Sequence, residues 1–437
     1  MPILDGIERI AIWGFGREGR AALAFLNKVR PGVSVTVLND TPLAAPPPGV
    51  PAIQGPQAGE AVAAGRFDLV IKSPGIPLRR PEIAAAKEAG VRFTSATDLW
   101  FEQNPTAKVV AVTGTKGKST TVRMIDYLLT QAGMDVKLYG NVGIAMLGQP
   151  AGRDATVLEL SSYQIADLQF APTVAVITSL YPEHAPWHGS HENYYRDKLR
   201  ILDLGDTRGV CNAANARLRT RLAGHANLVW YNVDTGFAAD GESLTYAGAS
   251  VPALGFSLKG EHNYSNLAAA CTAASLMGVK GLEKGVDFSA FKQLPHRLEE
   301  FSARGIVCVN DSLSTVPEAA MAALKAYAGR PTVLILGGTD RGQDYGELIA
   351  FLARTKVKCV VLLPATGARI LEAMQAAPRP YEIVSAPDLT AAVAEGFKRL
   401  KPGDVFLLSP ASPSFGEFRD YVDRGDRFKA LCRTEGS

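Results

Sequence analysis

Nine short runs of aliphatic and β-branched residues recur along the chain: RIAIWG, VSVTVLND, FDLVIKS, KVVAVTG, ATVLELSS, TVAVITSL, TVLILGG, VKCVVLL and DVFLLSP. Most are near-continuously apolar, the pattern of strands covered on both faces. The stretches between them, such as GREGRAALAFLNKV and KSTTVRMIDYLLTQAG, have helical periodicity and supply that cover. Buried strands joined by crossover helices form parallel sheets, and the expected class is α/β. With 437 residues, at about 150 per domain, the chain is long enough for about three such domains. FEQNPTAK and KQLPHRLEEF are the candidate linkers, and the second fresh strand-helix series is expected from Ile306. The stretch from about Ala213 to Phe256 reads as a smaller β-rich excursion, and TPLAAPPPGVP as a surface loop.

Lys plus Arg number 46 and Asp plus Glu 43, a net charge of +3 with no local basic block. That balance carries no nucleic-acid footprint. Cys211, Cys271, Cys308, Cys359 and Cys432 are odd in number, far apart and without CxxC spacing, which argues for a reducing compartment and against zinc. Asp5 and Glu8 interrupt any apolar N-terminal core, and no apolar run approaches the ~18 residues of a spanning helix. The expectation is a cytoplasmic protein, monomeric by default, with neither nucleic acid nor membrane as a partner.

Gly14-Phe15-Gly16-Arg17-Glu18-Gly19 follows the first strand and opens a helix, and Asp40 ends the next strand. Glycines at this spacing permit a tight turn and bring a phosphate close to the helix N-terminus. Any anionic nucleotide diphosphate suits that geometry. Ser73-Pro74-Gly75 follows the third strand of this unit, at a strand's carboxyl end where ligand-binding loops gather.

Gly114-Thr115-Lys116-Gly117-Lys118-Ser119-Thr120 also links a strand to a helix. Backbone N–H groups cradle phosphates in such a loop, the Lys reaches the outer phosphates, and the hydroxyls suit Mg²⁺. Val112 stands where the longer version of the motif has its first glycine, so the loop is TGTxGK[ST]T. ATP is the expected nucleotide. Glu159 ends a strand nearby and suits a hard metal. His184 lies in a loop after another apolar strand. His188 and His191 follow without metal spacing, and Lys198 on an amphipathic helix reads by default as a solvated lysine.

Several motifs occur in one order: GTKGKST, GNVG at Gly140 to Gly143, LELSSYQ around Glu159, PEH at His184, DKLRIL around Lys198, GEHNYSN from Gly260, LPHR ending at Arg297, NDS at Asn310 to Ser312, and LLSPASPSF from Leu407. Over essentially the whole chain this order resembles the Mur ligase family of peptidoglycan synthesis. The resemblance implies three parts: a Rossmann-like domain over 1–96 for a UDP-linked substrate, a central ATP-binding domain over 97–296, and a Rossmann-like domain over 297–437 for the incoming amino acid. It implies that Gly14, Phe15, Gly16, Arg17, Asp40, Ser73, Pro74, Gly75 and Asn141 bind the UDP substrate. Gly114 to Thr120, Asn263, Asn266, Arg297 and Asp311 are implied for ATP. Ser119, Glu159, His184 and a carbamylated Lys198 are implied for Mg²⁺, with Lys118, His184 and Lys198 catalytic. Thr315, Arg341, Ser414 and Tyr421 are implied for glutamate.

The chemistry so implied is ATP-driven amide formation between UDP-N-acetylmuramoyl-L-alanine and glutamate through an acyl phosphate. Leu313 stands where the D-glutamate-adding enzymes have a lysine, and GGTDRG at Gly337 to Gly342 departs near the amino-acid pocket. The early WGFGREGRA and the LYPEHAPWHG stretch depart as well. These features favour L-glutamate, with D-glutamate as the alternative. A folylpolyglutamate synthase-like ligase is disfavoured by the βαβ unit of roughly 95 residues ahead of the phosphate loop. A regulatory nucleotide switch is disfavoured by the joint presence of Lys118, Glu159, His184 and Lys198.

Overall fold

The structure, a computed structural model, describes residues 2–43, 45–140, 145–291, 295–303, 305–340, 342–375, 380–414 and 416–434. The chain divides into two compact units, 1–291 and 292–437.

The first unit holds two large parallel sheets, with a short parallel pair, Ala253–Leu254 beside Val286–Asp287, apart from them. One has five strands in the order β3-β2-β1-β4-β5, where β1 is Arg9–Trp13, β2 Ser34–Asn39, β3 Ala52–Gln54, β4 Leu69–Lys72 and β5 Arg92–Thr94. The other has six in the order β11-β10-β9-β6-β8-β7, with β6 Val109–Thr113, β7 Val136–Gly140, β8 Ala155–Glu159, β9 Val174–Ile177, β10 Arg208–Asn212 and β11 Leu228–Tyr231. All five residues of β6 are buried, as are all five of β8 and all four of β9. That is the burial expected for strands covered on both faces.

One apolar core runs beneath both sheets, joining Ile10 and Ile12 to Leu158, Ala175 and Ile177 through Leu99 and Trp100. The last two lie on the helix Ala96–Gln103, which includes Phe101 to Gln103 of the expected linker FEQNPTAK. Phe101 is buried and stacks on Phe170, so the free connection is shorter than the sequence suggests.

The expected β-rich excursion is narrower too. Its early part supplies β11, which pairs in parallel with β10 in the main sheet. Only β12 Phe237–Ala239, β13 Leu244–Tyr246 and β14 Ala249–Val251 form a separate antiparallel sheet.

The second unit is a six-stranded sheet in the order β15-β16-β20-β17-β18-β19, comprising β15 Glu299–Ala303, β16 Ile306–Asn310, β17 Thr332–Gly338, β18 Val357–Ala365, β19 Glu382–Ser385 and β20 Val405–Leu408. The series starts at Glu299 rather than Ile306, because the Glu299–Ala303 stretch pairs antiparallel with β16 at the sheet edge. Its other pairings are parallel. No helix among the described residues is long and apolar enough to cross a membrane.

Candidate active site

β6 delivers the phosphate loop at its carboxyl end. The chain turns through Gly114 at φ +147° and Gly117 at φ +90°. A Cβ on Gly114 would lie 1.9 Å from Thr178 Oγ1, and one on Gly117 2.5 Å from Asn266 Oδ1, so both positions require glycine twice over. The segment after β9 pins the loop from outside. Thr115 N–H donates to the Ser179 carbonyl at 2.9 Å, and Lys116 N–H donates to Ser179 Oγ at 2.9 Å. Lys118 begins the helix Lys118–Gln131, whose first N–H groups have no side-chain cap. Uncapped N–H groups at a helix start form an anion cradle. Lys118 Nζ folds back onto the carbonyls of Gly114, at 2.9 Å, and Thr115, at 3.1 Å. Ser119 is half-buried and Thr120 buried in the same turn.

Lys198 comes to the same place from the helix His191–Leu199. Its side chain is 2% exposed, overturning its default reading as a solvated lysine. Its Nζ donates to Thr113 Oγ1 at 3.2 Å and to the Gly114 carbonyl at 3.1 Å, and lies 5.1 Å from the centre of the Tyr194 ring. Burial, aided by the Lys118 cation, holds its pKa well below the ordinary lysine value.

Glu159 closes β8 opposite Val112 of β6, and its Oε2 is buried without a hydrogen-bond partner among the described residues. His184 has a left-handed backbone at φ +54°. Its Nδ1 is 2.9 Å from Tyr163 OH, and its Nε2 is 3.5 Å from Glu183 Oε2. Burial lowers its pKa, opposed by Glu183 and reinforced by Lys198 and Lys118, and the neutral, ligand-competent imidazole is favoured. Asn263 and Asn266 are buried on the helix Glu261–Leu276, with Asn266 set directly against Gly117 of the loop.

The first glycine motif packs as its spacing requires. Gly14, at φ +94°, leaves room for Ser73, whose Cβ would lie 2.6 Å from an added Cβ. Phe15 N–H donates to Asn39 Oδ1 at 3.0 Å, and Gly16 precedes the helix Arg17–Val29 without a side-chain cap. Asp40 accepts from Trp13 Nε1 at 3.0 Å and pairs with Arg80 at 2.5 Å, so any ribose hydroxyl competes with both. Arg17 reaches the Gly140 carbonyl at 3.4 Å. Pro74 sits in the loop with Gly75, whose carbonyl accepts from Trp187 Nε1 at 3.2 Å. Asn141 lies outside the described residues.

One cluster went unread in the sequence. His188 is fully buried, with Nδ1 2.7 Å from Asp197 Oδ2 and Nε2 3.0 Å from Ser162 Oγ. Arg79 grips both oxygens of Asp197 at 2.7 Å. Burial works to raise the Asp197 pKa, but the His188 and Arg79 hydrogen bonds hold it below the ordinary value. Nothing in the local spacing of these residues announces the cluster, since Arg79 and Asp197 are 118 positions apart.

In the second unit, Asp311 is buried. Its Oδ2 accepts from Ser409 Oγ at 2.7 Å and its Oδ1 from Leu298 N–H at 3.2 Å, and burial pushes its pKa up to about 7. Arg297, half-buried, acts on that carboxylate electrostatically. Arg424, which sequence reasoning missed, is fully buried and donates to Ser312 Oγ at 2.9 Å, the Ser312 carbonyl at 2.8 Å and the Ser412 carbonyl at 3.0 Å. Tyr421 is part-exposed, and its carbonyl accepts from Ser312 Oγ at 2.8 Å. Ser414 is 4% exposed, and the Thr315 carbonyl accepts from Gln343 Nε2 at 3.4 Å. Arg341 lies outside the described residues.

Comparison with known proteins adds to this geometry. Residues 112–274 match the family description "Mur ligase middle domain", and residues 296–412 match "Mur ligase, glutamate ligase domain". A Salinispora tropica protein named UDP-N-acetylmuramoyl-L-alanine–L-glutamate ligase is 37% identical over 442 residues, covering 98% of this chain and 97% of that one. A Micromonospora protein of the same name is 38% identical over 442 residues, covering 97% and 96%. The crystal structure of MurF ligase from Thermotoga maritima in complex with ADP shares the fold, with a TM-score of 0.60 at 16% identity, covering 98% of this chain and 94% of that one.

Proposed function

We propose that this chain, which belongs to the Mur ligase family of ATP-dependent, amide-bond-forming enzymes, joins L-glutamate to the alanyl carboxylate of UDP-N-acetylmuramoyl-L-alanine. The observation that carries the ligase chemistry is the convergence of Lys118 and Lys198 on the Gly114 carbonyl, at the mouth of an uncapped phosphate loop. Support for the L isomer comes from the name its full-length relatives bear and from Leu313 in place of a lysine.

In this reading the three parts divide the labour as 1–96, 97–296 and 297–437: UDP end, ATP and glutamate. The glycine turn at Gly14 to Gly19 and the Ser73–Gly75 loop hold the UDP-linked substrate, with Asn141 beside its muramoyl part. The loop N–H groups and Lys118 hold the ATP phosphates, Asn263 and Asn266 flank the nucleotide, and Arg297 and Asp311 serve its outer phosphate and ribose. Thr315, Arg341, Ser414 and Tyr421 receive glutamate.

The donors fit a divalent cation only as part of a larger set. Among the described residues no three His, Cys, Asp or Glu side chains gather as a metal site. Glu159 offers a buried, unpartnered carboxylate oxygen, His184 a neutral imidazole and Ser119 a hydroxyl. A lysine ammonium at Lys198 would repel a cation. Its neutral amine can instead add CO₂, forming an N–C bond and releasing one proton, and the resulting carbamate supplies anionic oxygen. Mg²⁺ held there would neutralise phosphate charge as it develops.

The alanyl carboxylate attacks the γ-phosphorus, the bond to ADP breaks, and an acyl phosphate forms. The glutamate amine then attacks the acyl carbon, loses a proton, and phosphate leaves. Lys118 stabilises negative charge on the transferring phosphate, and the buried walls of the phosphate loop keep competing water away. Phosphate release measured with ATP and each substrate omitted in turn tests the reading. Release requiring both UDP-N-acetylmuramoyl-L-alanine and glutamate supports it, and hydrolysis indifferent to both overturns it.

A further inference from the structure

Arg79 lies on the same loop as Ser73, Pro74 and Gly75, between β4 and the helix Pro81–Glu88. From there it takes both carboxylate oxygens of Asp197 at 2.7 Å. Asp197 is 6% exposed in its side chain and directly precedes Lys198 in the last turn of the helix His191–Leu199. The remaining face of Asp197 is taken by fully buried His188, whose other ring nitrogen meets Ser162 Oγ. Ser162 itself is 2% exposed, so this Asp–His–Ser arrangement fixes groups in place rather than presenting a nucleophile to solvent. Trp187, next to His188, grips the loop a second time through the Gly75 carbonyl at 3.2 Å.

A bidentate guanidinium–carboxylate pair sets orientation as well as distance. Successive residues on a helix differ in direction by about 100°. Fixing Asp197 from outside its own helix therefore fixes the direction in which Lys198 leaves the backbone. Lys198 reaches Thr113 Oγ1 and the Gly114 carbonyl at 3.2 and 3.1 Å, so a small rotation of the last turn takes its Nζ off the phosphate loop.

We infer that Arg79 is a positioning residue for Lys198: through Asp197 and His188 it locks the lysine at the phosphate loop and ties its placement to the loop proposed to seat the UDP-linked substrate. The inference rests on the reading of Lys198 as a carbamylated active-site lysine, and the experiment separates the two.

Full-length protein is equilibrated with ¹³C-bicarbonate and its carbamate carbon followed by NMR, alongside kcat and the KM values for ATP and UDP-N-acetylmuramoyl-L-alanine. The wild type and Lys198→Ala define the carbamate signal. Arg79→Met is expected to lose most of that signal at low bicarbonate and regain it at high bicarbonate. Its kcat should fall by about tenfold, roughly the loss when one orienting contact is removed, with the KM for ATP unchanged. Arg79→Lys keeps the charge without the fork and should fall between, which keeps the test intact where Arg79→Met fails to fold. Arg79 variants with wild-type carbamate occupancy and kcat, changed only in melting temperature, overturn the inference. A wild type without a carbamate signal overturns the reading of Lys198 and the role of Arg79 with it.

Discussion

Lys118 and Lys198 donate to one and the same acceptor, the Gly114 carbonyl, at 2.9 and 3.1 Å. Two lysines on one carbonyl oppose each other's charge. Burial, reinforced by the Lys118 cation, holds the Lys198 pKa well below its ordinary value.

Replacing Lys198 with Ala should abolish amide formation, since in the proposed reading the lost group, once carbamylated, is an active-site oxygen donor. Added formate or acetate should partly restore turnover by supplying a carboxylate in the vacated space. Full activity of the variant without additive would contradict the assignment.

Gly117→Ala places a side chain at φ +90° and 2.5 Å from Asn266 Oδ1. The backbone strain alone costs about 1–2 kcal/mol, enough to weaken ATP binding by about tenfold. Calorimetric titration with ATP checks this. Gly133, past the far end of the same helix, with nothing within 4 Å of an added Cβ but also at positive φ, +81°, should lose stability on the same change without losing ATP affinity.

Asp311 gives a pH signature. Burial raises its folded pKa from the ordinary 3.8 to about 7, so folding favours its protonated form. Its contribution to stability is therefore full below pH 3.8 and is lost as pH rises towards 7. Across that window the wild type should lose stability relative to Asp311→Asn by up to about 1.4 kcal/mol per pH unit. Denaturant melts of both proteins at stepped pH measure the difference, and parallel curves would contradict it.

Arg424→Met should destabilise the second unit by about 3 kcal/mol, because it strands the buried carbonyls of Ser312 and Ser412 without a donor. Thermal unfolding of the variant checks this. An unchanged melting temperature would show that water or backbone shifts replace the guanidinium at no cost.

What the sequence disclosed was local. The glycine loop at Gly114 to Thr120 and the turn at Gly14 to Gly19 are each written in contiguous residues, and the positive φ of Gly14, Gly114 and Gly117 demands them; Glu159 was legible only as the last residue of an apolar strand. All nine apolar runs became strands; most are buried on both faces and so carry few polar positions to disguise them, and the partly exposed Ser34–Asn39 was legible from its β-branched residues. Legibility failed where a residue's meaning lies in a distant partner. Lys198 read as solvated because its amphipathic helix gives no sign that it docks on Gly114. His188 fitted no ligand spacing because its partners are Asp197, Ser162 and, through Asp197, Arg79. Arg424 drew no reading from the sequence, yet it is fully buried, with its partners Ser312 and Ser412 distant along the chain. The edge strand at Glu299 was missed because GluGluPheSerAla is only half covered and carries the polar residues an edge tolerates.

The central claim is the joining of L-glutamate to UDP-N-acetylmuramoyl-L-alanine. The most direct test supplies ATP and that acceptor with either L- or D-glutamate, then follows phosphate release and isolates the UDP-linked product from each. Product formed with L-glutamate, and little or none with the D isomer, is the predicted result. Product formed with D-glutamate alone would contradict it.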